Sequence, residues 1–142
     1  SNLGFHVISK YTGANLITIN ETELRHELRN KTDDRKSLIK KLSKKLKSVY
    51  TNVTCGVEGS FIYSKLSKKI INCPAFANKV TDKVGTGDTM LSMLAISIYK
   101  KYNVQFSMLL SALAAAYNIQ YMANKIPLGK TYIIRSLQSY LK

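Results

Sequence analysis

The sequence predicts an α/β layered fold, and three features predict it. A short apolar run at 16–20, Leu-Ile-Thr-Ile-Asn, has the length and bounds of a buried strand. A segment of helical period over 33–47 follows it and leads into a second strand-like run at 49–55. Beyond a hairpin, three long apolar-periodic segments complete the 142 residues. The order strand, helix, strand, hairpin, helix, helix, helix calls for layers of helix on sheet.

Taken in order, Leu38, Ile39, Leu42 and Leu46 recur at helical spacing with lysines between them. Thr32, Asp33 and Asp34 suit the start of that helix, and Lys44, Lys45 and Lys47 suit its end. Gly56 and Gly59 bracket a turn after the second strand. Ser60–Tyr63 and Lys69–Cys73 read as a hairpin that Pro74 ends. A helix over 88–102 would face inward with Leu91, Leu94, Ala95, Ile98 and Tyr102. One over 106–123 is apolar nearly all round and should be buried, with Asn124 and Pro127 stopping it. The last helix, about 130–141, would turn Ile133, Ile134, Leu137 and Leu141 inward.

Composition narrows the function classes. No stretch approaches the roughly 20 apolar residues of a membrane span, so no membrane partner is expected and the cytoplasm is the expected location. Cys55 and Cys73 are too few for a disulfide framework or metal cluster and read as reduced thiols. Asn-x-Thr triplets at Asn20, Asn30 and Asn52 would matter only in secretion. The 22 Lys and Arg against 8 Asp and Glu give +14, a balance that suits nucleic acid, anionic surfaces or phosphorylated ligands. The crowd Lys36, Lys40, Lys41, Lys44, Lys45 and Lys47 reads as a solvated helix face. The chain opens at Ser1-Asn2 without an initiator methionine, which reads as a processed or engineered end. Residues 1–142 are taken as one domain, with 1–12 a tag remnant or the tail of a preceding segment.

The stretch Gly85-Thr86-Gly87-Asp88-Thr89, placed just before a periodic helix, carries the chemistry. Glycines permit close approach to a ligand, and the first amides of a helix point outward without partners, an anion site. A carboxylate there needs a reason. Asp88 is either a helix cap or a general base that takes a proton from an attacking hydroxyl while the amides stabilise a moving phosphoryl group. The Gly-Lys-Ser/Thr ending of a Walker A loop is absent. His6 and His26 lack companions at ligand spacing. Tyr117 and Tyr121 lie one turn apart and read as core.

Three motifs in order extend this reading. Asp82-Lys83-Val84-Gly85-Thr86-Gly87-Asp88 resembles the second signature of PfkB/ribokinase-type carbohydrate kinases. Asn20-Glu21-Thr22-Glu23 is similar to the family's Asn-x-x-Glu motif, and Thr54-Cys55-Gly56-Val57-Glu58-Gly59 to its nucleotide-contacting Thr-x-Gly-x-x-Gly turn. The resemblance covers about 15 to 140 and implies the C-terminal half of a ribokinase-like layered sheet with flanking helices. It implies Asp88 as catalytic base and Gly85, Thr86 and Gly87 as anion hole. Thr54, Gly56 and Gly59 would contact nucleotide, with Ala114, Ala115 and Asn118 as candidate neighbours. Asn20 and Glu23 would organise Mg2+ and phosphates, through water. ATP and a sugar or sugar phosphate are then the implied substrates. An N-terminal half that holds the sugar is the implied missing partner, and a homodimer is one compatible assembly. Lys83 and Thr86 depart from the usual Thr and Ala. The text from 72 to 88 is closest to kinase modules joined to a cytidylyltransferase-like domain, to which heptose-phosphate kinases are related. A non-catalytic nucleotide- or phosphate-binding module is the alternative. A basic nucleic-acid-binding domain is disfavoured by the lack of a second basic motif with interleaved aromatics.

Overall fold

A computed structural model describes residues 8–77, 85–120 and 129–140. The chain divides into two compact units, Ser1–Asn72 and Cys73–Lys142.

In the first unit a 3-10 turn, Ile8–Tyr11, precedes strand β1, Leu16–Asn20. Helix α1, Glu21–Glu27, and helix α2, Arg35–Leu46, lead to β2, Tyr50–Thr54. Strands β3, Ser60–Ser64, and β4, Lys69–Cys73, complete a sheet of order β1-β2-β3-β4. The two strands that α2 connects are parallel neighbours, as their alternation with a helix predicts, and Asn20 lies opposite Thr54. Strand β3 runs antiparallel to β2, with Ser60 opposite Thr54.

Side-chain periodicity explains the layering. Leu38, Ile39, Leu42 and Leu46 are fully buried and meet Ile17, Ile19, Leu24 and Val53 in one core. Burial of each leucine contributes about 2 kcal/mol before ordering costs. The lysines at 36, 40, 41, 44, 45 and 47 are all exposed, so the solvated-face reading holds. Asp34 caps α2 by accepting from the Ser37 amide. Lys47 ends it in the left-handed region at φ 55°. Asn52 is fully buried in β2, so its triplet is not a surface acceptor. Helix α1, a single buried leucine long, has no counterpart in the sequence reading.

In the second unit α3 spans Thr86–Tyr99, α4 Val104–Asn118 and α5 Lys130–Tyr140. Helix α3 starts two residues before the expected 88, drawing Thr86 and Gly87 into its first turn. It also ends earlier than the expected 102: Lys101 adopts φ 62° and breaks the helix, leaving Tyr102 outside it, edge-on to Phe106. Its buried face is Met90, Leu94 and Ser97, a rotation away from the expected stripe, and Ala95 is exposed. Helix α4 is buried nearly all round, as its composition predicts, and Asn103 caps it from the Phe106 amide. It ends at Asn118, before the expected 123. Asn124 and Pro127, the stop signals read for it, lie outside the described residues, as do Tyr121, Leu141 and His6. Helix α5 packs on α4 through Tyr132 against Tyr117, with ring centroids 4.5 Å apart. No α5 residue is buried, and Ile134, expected inward, is 42% exposed.

Candidate active site

In the first unit the candidate residues gather where β1 and β2 finish. Open α/β sheets bind ligands beyond the carboxyl ends of their parallel strands. Asn20 ends β1, Thr54 ends β2, and the two are register partners. The Thr54 hydroxyl donates to the Ile19 carbonyl over 3.4 Å. The chain then turns through Gly56–Glu58, and the Cys55 amide donates to the Gly59 carbonyl at 2.8 Å. Gly56 has φ 59° and Gly59 φ 86°, ψ −132°, a region that side-chain-bearing residues avoid. A Cβ built on Gly56 would meet nothing within 4 Å, so its backbone is open to an incoming group.

Asn20 and Glu23 have a structural task. The Asn20 side chain accepts from the Glu23 amide at 2.8 Å, and the Glu23 carboxylate accepts from the Asn20 amide at 3.0 Å. This is a reciprocal capping box that starts α1. A carboxylate has about four lone-pair sites and an amide oxygen two. Both are oxygen donors of the hard type magnesium prefers, reached through its own waters. The donor set fits that ion in a water-bridged role. Among the described residues no group of three or more His, Cys, Asp or Glu side chains could cage an ion directly.

Beside these residues lies a network with no counterpart in the sequence reading. Arg35 meets Glu21 at 2.7 Å and Glu58 at 2.8 Å, and stacks over Phe61 with its guanidinium carbon 4.9 Å from the ring centroid. Arg25 holds the other Glu21 oxygen at 2.8 Å. Burial works against the Glu21 charge, but hydrogen bonds from Arg35 and Arg25 outweigh it and hold the carboxyl below its usual range. Arg35 likewise lowers Glu58. The network ties the start of α1, the start of α2 and the Gly56–Gly59 turn together. One signal was available: Arg35 opens α2, where the helix dipole disfavours a cation, so it needed carboxylate partners.

Arg35→Ala is expected to cost about 1–2 kcal/mol in urea denaturation, mostly through the partly buried Glu21 contact and the Phe61 stacking. The exposed Glu58 end adds little. Both carboxylates have folded pKa values below the ordinary 4.5. Their contribution is therefore present above that value and lost as pH falls through it and toward the depressed folded values. The parent sequence should lose stability across this acid window, and Arg35→Ala should lose less. Equal acid slopes would show that the pairs do not form in solution.

In the second unit Gly85 precedes α3 with φ 76°, the left-handed conformation a glycine adopts freely. No side chain caps the helix. The Thr89 amide and hydroxyl both donate to the Gly85 carbonyl, at 2.9 and 3.0 Å, which fixes the turn. The amides of Thr86, Gly87 and Asp88 are thus the first-turn donors that a helix cannot satisfy itself. A Cβ on Gly87 would meet nothing within 4 Å. Asp88 is exposed in this same turn, and its side chain caps nothing. The Thr86 hydroxyl is buried without a hydrogen-bond partner. Asn118 is buried at the end of α4, with Ala114 buried one turn before it. Asp82, Lys83 and Val84 lie outside the described residues.

The sequence profile described as "pfkB family carbohydrate kinase" matches residues 6–129. The chain belongs to the PfkB family of carbohydrate kinases. It is 37% identical over 101 residues to the bifunctional protein HldE of Helicobacter pylori (strain ATCC 700392 / 26695), covering 68% of this chain and 21% of that one. The bifunctional protein HldE of Campylobacter fetus subsp. fetus (strain 82-40) is 35% identical over 111 residues, covering 76% and 24%. The chain spans under a quarter of the length of these curated relatives. Among solved structures, phosphofructokinase-2 from Escherichia coli in complex with potassium matches with TM-score 0.77 at 13% identity, covering 94% of this chain and 43% of that one. Arabidopsis thaliana ribokinase complexed with ribose and ATP matches with TM-score 0.74 at 22% identity, covering 87% and 41%. The fold of this PfkB-family chain is ribokinase-like α/β.

Proposed function

We propose that these 142 residues are the ATP-binding, C-terminal part of one kinase domain that transfers the γ-phosphoryl group of ATP to a hydroxyl of a sugar or sugar phosphate. The observation that carries the reading is the first turn of α3: uncapped amides at Thr86, Gly87 and Asp88, introduced by a left-handed Gly85, with the Asp88 carboxylate in the same turn. The HldE relatives and the resemblance of 72–88 support a heptose phosphate as acceptor. The location in keeping with that chemistry is the cytoplasm.

Asp88 would accept the proton of the attacking hydroxyl, since a carboxylate within hydrogen-bond reach of that group is a competent base. The amides of Thr86, Gly87 and Asp88 would donate to the oxygens on which charge builds. Thr54 and the Gly56–Gly59 turn would lie against the nucleotide, their backbone kept close by the two glycines. Asn118 would border the base. Asn20 and Glu23 would hold magnesium through its water shell, and the ion supplies neutralisation of phosphate charge when bound.

Hydrogen exchange on titration with magnesium-ATP tests the binding half. Amides 86–90 are expected to gain protection, and so are those of the 54–59 turn. Protection confined to other segments would remove the α3 turn from the phosphate site.

A further inference from the structure

Charge in the first unit is divided between the two ends of its sheet. At the end where β1 and β2 finish stand Glu21, Glu23, Asp33, Asp34 and Glu58, in the first turns of α1 and α2 and in the Gly56–Glu58 turn. The opposite end is built from the 3-10 turn, the last turn of α2 and the turn between β3 and β4. Backbone bonds join these pieces: the Gly13 amide donates to the Leu46 carbonyl at 2.7 Å, and the Lys65 amide to the Val49 carbonyl at 2.9 Å. Lys10, Lys44, Lys47, Lys65, Lys68 and Lys69 all emerge at this end, and all are exposed. Among the described residues, only Lys45 at this end has an ion pair, with Glu27 at 2.6 Å.

Two apolar side chains stand among these cations. Leu66, 74% exposed, occupies the β3–β4 turn between Lys65 and Lys68, and Tyr11 is 61% exposed in the 3-10 turn. A water-exposed leucine flanked in its turn by lysines suits an interface that is anionic at its surface and apolar just beneath. A ring with a hydroxyl, such as Tyr11, suits the same depth. A nucleic-acid backbone would also meet the lysines, but an aliphatic side chain offers a base no stacking surface. We propose that this end of the unit docks on an anionic lipid bilayer, with Leu66 entering the boundary between headgroups and acyl chains and the lysines engaging lipid phosphates. This is surface attachment: no helix among the described residues is long and apolar enough to cross a membrane. The proposal is independent of the kinase reading, because it uses the opposite end of the sheet.

Sedimentation with vesicles tests it, using the 142-residue chain. The chain should pellet with phosphatidylcholine vesicles that contain phosphatidylglycerol, stay in solution with phosphatidylcholine alone, and be released by salt. Replacing Lys65 with Ser, Lys68 with Asn and Lys69 with Ser together should lower partitioning on the order of a hundredfold. Asn is chosen at 68 because φ there is 57°. Leu66→Ser should lower it about tenfold with charge unchanged. Replacing Lys31, Lys36 and Lys40 with Ser removes the same charge from the other half of the unit and should change partitioning only a few-fold. No pelleting with anionic vesicles would overturn the proposal. So would equal losses from the two triple variants, which would mark a simple net-charge effect. An unaffected Leu66→Ser variant, or displacement from vesicles by duplex DNA that binds that variant equally well, would assign the surface to nucleic acid instead.

Discussion

Asp88→Asn in the parent kinase is expected to lower turnover about a thousandfold while leaving ATP affinity nearly unchanged. The estimate follows from what a positioned general base supplies, about 10²–10⁴ in rate. Asn keeps the shape and reach of the side chain and removes its basicity. The amides of Thr86, Gly87 and Asp88 are backbone groups, so the proposed phosphate cradle stays as it is. The substitution also removes an anion from a helix N-terminus, which costs about 0.3–1 kcal/mol of stability. That small loss lowers a melting temperature without emptying the site. Sugar-dependent ADP release and equilibrium ATP binding separate the two effects. Turnover near that of the parent would take Asp88 out of the proton-accepting role and leave it as a first-turn charge.

The second large effect concerns the 142 residues on their own. They are expected to bind magnesium-ATP weakly and to phosphorylate sugars at a negligible rate. Holding two reactants in register supplies about 7–11 kcal/mol of barrier reduction. In the proposed kinase the groups that hold the acceptor hydroxyl near Asp88 belong to the other half of the domain. Without them, base and anion hole face an acceptor that is rarely in place. Comparing ADP release by this chain with that of the parent decides the matter. Robust, sugar-dependent turnover by the 142 residues would overturn the division of labour proposed above.

What the sequence disclosed was whatever repeats at short range. Leu38, Ile39, Leu42 and Leu46 announce α2 by spacing, and all four are fully buried. The parallel pairing of β1 and β2 follows from a helix between them. Helix α1 escaped because it is seven residues long with one buried side chain, Leu24, too little for a period to register. The start of α3 differs from the expected one because Gly-Thr-Gly is a poor helix-forming run, which the structure nonetheless uses as N-cap and start of the first turn. Its buried face differs from the apolar stripe because Ser97 lies inward, where an apolar count selects Ala95. The Asn20–Glu23 pair was legible as a motif, yet its capping box was not, since one spacing serves both purposes. The Glu21–Arg35–Glu58 network joins residues 14 and 23 positions apart, and only the folded sheet edge brings them together.

The two cysteines bear on how this protein can be tagged. Cys55 is half-buried beside the Arg35 network, and burial, outweighing that guanidinium, pushes its thiol up to about 12. Burial alone raises Cys73 to about 11. The reactive form of a cysteine is the thiolate, and a surface cysteine with an ordinary pKa near 8.5 holds about three hundred to three thousand times more of it at neutral pH. A single cysteine introduced at an exposed position such as Ser67 would therefore take a maleimide dye while Cys55 and Cys73 remain unmodified. Site-selective fluorophores could be attached without first removing either native residue.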